Sequence, residues 1–181
     1  QTVTYTRDIT APVLVGVPAN TTAQCNALPV PATVTAIDNC SVATVGAPVD
    51  VVTPGSCPGS YSITRTWTAT DLCGNSASAS QIITVNDNIP PVLSGIPANA
   101  VVQCNAIPAV PGAGVVTATD NCGTATVTGP VIVNTPGLCI GTSTITRTWT
   151  ATDQCGNSTT ATQTITVTDT TAPVLANIPS N

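Results

Sequence analysis

Two residue types in this 181-residue chain could do chemistry, cysteine and aspartate, and both recur at fixed spacing. The cysteines fall in two sets of four: Cys25, Cys40, Cys57, Cys73, then Cys104, Cys122, Cys139, Cys155. Gaps of 14 to 17 intervening residues within a set, no Cys-x-x-Cys and no histidine argue against zinc. Repeated spacing in a small chain is the mark of disulfides in an oxidising compartment. The eight acidic residues are all Asp. Four of them, Asp38, Asp71, Asp120 and Asp153, sit in Asp-Asn-Cys and Asp-x-Cys-Gly-Asn loops beside the cysteines. Paired with Asn and backbone carbonyls, such carboxylates could hold Ca²⁺, which takes six to eight oxygens. The plainer reading is that each Asp caps a tight turn in which Gly74 supplies positive φ.

Composition excludes more than it suggests. The chain has no His, Lys, Glu, Met or Phe, and its only cations are Arg7, Arg65 and Arg147. General acid–base catalysis near neutral pH needs a group that titrates there, and a nucleophilic Ser, Thr or Cys needs a neighbouring base. No enzyme is expected, and no cofactor beyond Ca²⁺. Three scattered Arg and a net charge of −5 offer no basic stripe for nucleic acid. No apolar run reaches bilayer length, so no membrane insertion is expected in this segment.

The elements that carry the cysteines are repeats. The phrase Thr-Arg-Thr-Trp-Thr-Ala-Thr-Asp-x-Cys-Gly-Asn runs from Thr64 to Asn75 and again from Thr146 to Asn157. A junction phrase ending in Pro-Val-Leu follows Asp8, Asp87 and Asp169. These mark a tandem array. Residues 1–8 read as the last strand of a preceding repeat, 9–87 and 88–169 as complete units, and 170–181 as the start of another, so the chain reads as a piece of a longer protein. Pro90 and Pro91, like Pro12 and Pro173, fix φ at the junctions and limit bending.

Each unit is predicted to be all-β, since Thr, Val and Ile dominate and Pro and Gly punctuate. In the first, strands are expected near 13–17, 21–25, 33–37, 42–52 (two), 61–70 and 77–85. Seven short strands in some 80 residues predict an immunoglobulin-like sandwich. In the strand 61–70, alternation puts Ile63, Arg65, Trp67 and Ala69 on the core face and a Thr row outside. Trp67 and Trp149 are the predicted core centres. Arg65 and Arg147 are expected at the edge of the core, paired with Asp.

That architecture orients the cysteines. Cys57 and Cys73 lie at opposite ends of a ten-residue strand, too far for a bond. Two schemes remain. Because Cys40 and Cys73 fall at one end and Cys25 and Cys57 at the other, the expected pairs are Cys25–Cys57, Cys40–Cys73, Cys104–Cys139 and Cys122–Cys155. The surviving rival joins Cys25 to Cys73 and Cys40 to Cys57. Asn20 and Asn157 begin N-glycosylation sequons, as does Asn39. Thr170, in Asp169-Thr170-Thr171, resembles a bacterial O-glycosylation signal. Outward Thr rows also suit glycan or ice, although a solvated β-former is the simpler account.

The Asp-x-Cys-Gly-Asn loop, the strand after it and the Asp-to-Pro-Val junction together resemble the hyalin-type (HYR) repeat, an extracellular immunoglobulin-like module. With Asp-Asn-Cys added, the pattern is similar to repeats in giant surface adhesins of gliding Bacteroidota. Cysteine placement departs from the animal hyalin repeat, where the cysteines lie near the first and last strands. The resemblance implies a secreted, cell-surface protein acting in adhesion or gliding as a rigid stalk, whose partners are neighbouring repeats and surface glycans or other surfaces. Two alternatives stand beside it: a filament of laterally associated identical chains, and an accessory array on a secreted hydrolase.

Overall fold

In a computed structural model that describes residues 3 and 7–175, the chain is all-β, with thirteen strands among the described residues. No helix there is long and apolar enough to cross a membrane. Contacts divide the chain into two compact units, 1–89 with 121–123, and 90–120 with 124–181. Residues 121–123, a stretch of the second sequence repeat, thus group with the first unit.

The first unit is organised on β6 (Tyr61–Thr70) and β7 (Ser76–Asn86), antiparallel from Tyr61 opposite Val85 to Thr70 opposite Ser76. The parallel strand β2 (Thr21–Gln24) joins the far edge of β7. On the other side of β6 lie β4 (Thr44–Val45) and β5 (Val49–Pro54). A separate antiparallel pair, β1 (Val13–Val15) with β3 (Thr35–Ile37), packs against this sheet.

The second unit repeats the plan. β12 (Ser143–Asp153) lies between β11 (Ala125–Pro136) and β13 (Ser158–Thr168), with β9 (Ala100–Gln103) parallel to β13. β8 (Val92–Ser94) pairs with β10 (Thr117–Thr119). Where the first unit breaks its edge into β4 and β5, β11 runs on through a register shift at the cis Gly129–Pro130 bond.

Alternation along β6 and β12 builds the cores. Ile63, Arg65, Trp67 and Ala69 are buried, and Ile145, Arg147, Trp149 and Ala151 repeat them. Trp67 is 1% exposed and Trp149 3%. Ile63 packs with Ile83 and Val85, and Ile145 with Ile165 and Val167. These apolar clusters are thin, as expected of small units without Phe. The opposite face carries hydroxyl pairs, Thr66 with Ser80 and Thr68 with Ser78, each at 2.8 Å. Of the expected strand at residues 1–8, positions 1, 2 and 4–6 lie outside the described residues, as do the last residues, 176–181.

Disulfides correct the sequence reading. Cys25 bonds to Cys122, 97 residues away, with Cα atoms 5.7 Å apart, inside the normal range for a disulfide. The expected Cys25–Cys57 and Cys122–Cys155 pairs are therefore overturned. Cys57 and Cys155 are themselves oxidised. Cys40, Cys73, Cys104 and Cys139 are exposed thiols, which removes Cys40–Cys73, Cys104–Cys139 and the rival scheme. The physical reason is local. Gly59, without a side chain, leaves room for Cys122: a Cβ there would come within 3.1 Å of Cys122 Cβ and 2.7 Å of Asp87 Cβ. The Asn121–Gly123 stretch fills that space, so Cys25 meets a sulfur from the other repeat.

Candidate functional site: the aspartate and cysteine loops

The β6–β7 turn is built around Asp71. Its Oδ1 accepts from the amides of Cys73 and Asn75, both at 2.8 Å, and its Oδ2 from Asn75 Nδ2 at 2.8 Å. Gly74 turns the chain at φ 88°, where a side chain would be strained. Burial pushes the Asp71 carboxyl up, but the Asn75 side chain and the two amides outweigh it and hold its pKa below the ordinary value. Asp153 repeats the device with Cys155 and Asn157 at 2.8 and 2.9 Å, and Gly156 at φ 91°. There too, hydrogen bonds to Asn157, Cys155 and Gly156 override burial.

The Asp38 loop is an Asx-turn. Asp38 Oδ1 accepts from the amides of Cys40 and Ser41, each at 3.0 Å, and the Cys40 bond leads in lowering its pKa. Asn39 Nδ2 then donates to Cys40 Sγ at 3.3 Å. Asn121 does the same to Cys122 Sγ at 2.8 Å. Burial, then the charge of Asp8, pushes the Cys40 thiol up.

Of the four expected metal-binding aspartates, Asp38 and Asp71 come together. Asp8 joins them, and carboxylate oxygens of all three lie within 4.8 Å of one another. Asp8 was missed as a ligand because its junction phrase offers one carboxylate at a time. Its recurrence at Asp8, Asp87 and Asp169 was the available signal. Asp8 Oδ1 accepts from Thr10 N at 3.0 Å, and Asn75 Nδ2 ties the Asp8 carbonyl to the Asp71 turn at 3.2 Å. The Oδ2 atoms of Asp8 and Asp38 are hidden from solvent without a hydrogen-bond donor. In the second repeat, Asp120 follows β10 and is half-buried.

The expected glycosylation residues hold structural bonds. Asn20 Oδ1 accepts from Ile82 N at 2.8 Å beside the parallel β2–β7 ladder. Asn99, which begins no sequon, does the same for Thr164 N at 2.7 Å. Asn157 Nδ2 donates to Asp153 Oδ2 at 2.8 Å, a bond that a glycan on that nitrogen would disturb. Thr170 is exposed, and its hydroxyl accepts from Gln103 Nε2 at 2.6 Å.

Comparison with known proteins bears on the second repeat. Residues 93–167 match an HYR-like domain with 4 cysteines. No curated protein matches the chain. Among solved structures, the protocadherin GammaB4 extracellular domain is similar at 17% identity and a TM-score of 0.33, covering 87% of this chain and 33% of that one. Protocadherin gammaB7 EC3-6, a cis-dimer structure, gives 16% and 0.33, covering 88% and 51%. Drosophila N-cadherin EC1-4 gives 15% and 0.31, covering 87% and 50%. The chain thus spans a third to a half of those proteins.

Proposed function

We propose that the chain is a non-catalytic segment of a long cell-surface adhesin, a stiff stalk that serves adhesion or gliding and belongs with the giant adhesins of gliding Bacteroidota. One observation carries the reading: Cys25–Cys122 ties one HYR-type repeat covalently to the next. A bond that spans 97 residues removes most of the slack a load could draw out between its ends. Proline-bearing junctions add stiffness, and weak surface contacts repeated along such an array gain by multivalency. Single-molecule pulling tests this. In the oxidised chain, the segment between Cys25 and Cys122 contributes no extension, and reductant restores it. Identical extension with and without reductant would remove the mechanical basis of the proposal.

A second reading concerns Ca²⁺ at Asp8, Asp38 and Asp71. Two hidden oxygens without donors, beside a third carboxylate, suit a hard cation better than they suit water. The residues fit the ion in type, with carbonyls and solvent left to complete its shell. The expected result is a rise in melting temperature with Ca²⁺ that saturates and disappears in D8N/D38N. No shift with the unaltered protein would eliminate the ion.

A further inference from the structure

The oxidised cysteines hold complementary places in the two repeats. In the first, the bonded residues are the first and third of the set, Cys25 and Cys57; in the second they are the second and fourth, Cys122 and Cys155. The four thiols are the complement: Cys40 and Cys73 in the first repeat, Cys104 and Cys139 in the second. Thiols and bridges sit in matching local structure. Ala106 N bonds the Gln103 carbonyl at 2.9 Å before Cys104, as Ala27 N bonds Gln24 at 3.1 Å before Cys25. Asn39 contacts Cys40 as Asn121 contacts Cys122. So Cys104 presents the form of a bonded Cys25, and Cys40 that of a bonded Cys122.

The surroundings point to the partner. Leu138 and Ile140 flank Cys139 and are fully exposed, and Leu72, beside Cys73, is 80% exposed. The corresponding oxidised residues have polar or small neighbours, Ser56 and Pro58 around Cys57 and Gln154 before Cys155. At the third and fourth cysteine positions, the apolar flanks therefore occur on the thiol-bearing loops, those of Cys139 and Cys73, and not on their oxidised counterparts. We propose that copies of this two-repeat segment join head to tail through these thiols, Cys104 bonding Cys40 and Cys139 bonding Cys73 of the next copy. Leu138 and Ile140 would then be covered against Leu72, which explains exposed apolar side chains in a chain of so few charges. Each bond forms from two thiols with loss of two protons and two electrons. An external disulfide accepts them and leaves as two thiols by exchange. The inference stands on cysteine placement and survives failure of the adhesion reading.

The experiment incubates the 181-residue chain in a buffer of oxidised and reduced glutathione, followed by non-reducing electrophoresis and peptide mapping. The expected result is a ladder in multiples of 18.0 kDa, with linked peptides carrying Cys104–Cys40 and Cys139–Cys73. C104S/C139S stays monomeric with Cys25–Cys122 intact, and its Cys40 and Cys73 remain titratable. In the natural protein, the same linked peptides at unchanged mass under reducing conditions place the partner repeat within one polypeptide. A fall in mass on reduction places it on a second chain. Cys40–Cys73 or Cys104–Cys139 bonds within a monomer, Cys104–Cys104 links, or four thiols that persist unaltered would each overturn the proposal.

Discussion

Arg65 and Arg147 occupy the same place in the two repeats, and each satisfies a buried guanidinium in a different way. Arg65 lies opposite Asp50 on β5, with Nε and Nη2 donating to the two carboxylate oxygens at 2.9 Å. Its third contact is the Pro29 carbonyl at 2.9 Å. Across from Arg147 stands Ile132. That guanidinium donates instead to the carbonyls of Pro108 and Ala109, at 2.6 and 3.1 Å, and to Gln163 Oε1 at 3.3 Å. Its Nε is buried with no partner. An expected Arg–Asp pair is therefore present in the first repeat, while in the second, neutral dipoles replace it. The carbonyls come from the stretch after Cys104, where the second repeat is three residues longer (Cys25 to Asp38 spans 13 positions, Cys104 to Asp120 spans 16).

The difference teaches that the conserved element is the buried cation gripping a loop, and that the counter-ion is optional. Truncation tests it most severely. R147A leaves two loop carbonyls and Gln163 without their donor and should cost the second repeat about 3 kcal/mol. R65A frees a carboxylate that is already 39% exposed and can return to water, so its cost should be lower, about 2 kcal/mol. One tryptophan per repeat lets denaturation be followed separately in single-Trp variants. Equal losses would mean that the loop carbonyls are not what Arg147 holds.

A second contrast is steric. G59A should strain the first unit, because its Cβ would sit 2.7 Å from Asp87 Cβ and 3.1 Å from Cys122 Cβ. Overpacking of this kind costs about 1–3 kcal/mol and should lower the yield of the Cys25–Cys122 bond, read by peptide mapping. At the matching Gly141, the nearest atom is Asp169 Cβ at 3.7 Å, so space is not limiting there. G141A should cost only the left-handed backbone penalty, about 1 kcal/mol. A full yield of the bond in G59A would contradict the packing account.

Much of this was legible in the residues. Period-two alternation placed Trp67, Trp149 and the Thr row correctly, because burial on one face leaves a strand no other register. The ends of the strands also put Cys25 apart from Cys40. The pairing was not legible, because Cys25 bonds a cysteine of the other sequence repeat, which spacing within one repeat does not encode. No residue within one repeat reveals that its end meets a neighbour's sulfur. Asp8 escaped for a related reason: a carboxylate 30 residues from Asp38 joins it only through folding.

Charge gives the next test. The Arg65 hydrogen bonds hold the Asp50 carboxyl below its ordinary pKa, against a smaller opposing effect of burial. A carboxyl with a depressed folded pKa stabilises above its unfolded value, about 3.9, and that stability is lost as pH falls toward the folded value. Since Asp50 is partly exposed, the contribution should be about 1 kcal/mol or less. D50N should remove it at neutral pH and flatten the acid limb of the first repeat, leaving the second unaltered. An unchanged acid limb in D50N would show that the ion pair contributes nothing.

The smallest effect sharpens the comparison most. Ile132 is half exposed and stands opposite Arg147 in the register that places Asp50 opposite Arg65. I132D supplies the missing carboxylate at the unpartnered Nε, and little apolar burial is lost. If that Nε is the deficit, the second repeat should gain up to about 1 kcal/mol at neutral pH and show a steeper acid limb than Asp153 alone gives it. The gain should vanish in I132N, which keeps the shape without the charge, and in R147A/I132D, which removes the cation. A gain that persists in R147A/I132D would come from surface polarity alone, and the two arginines would then differ for reasons other than charge pairing.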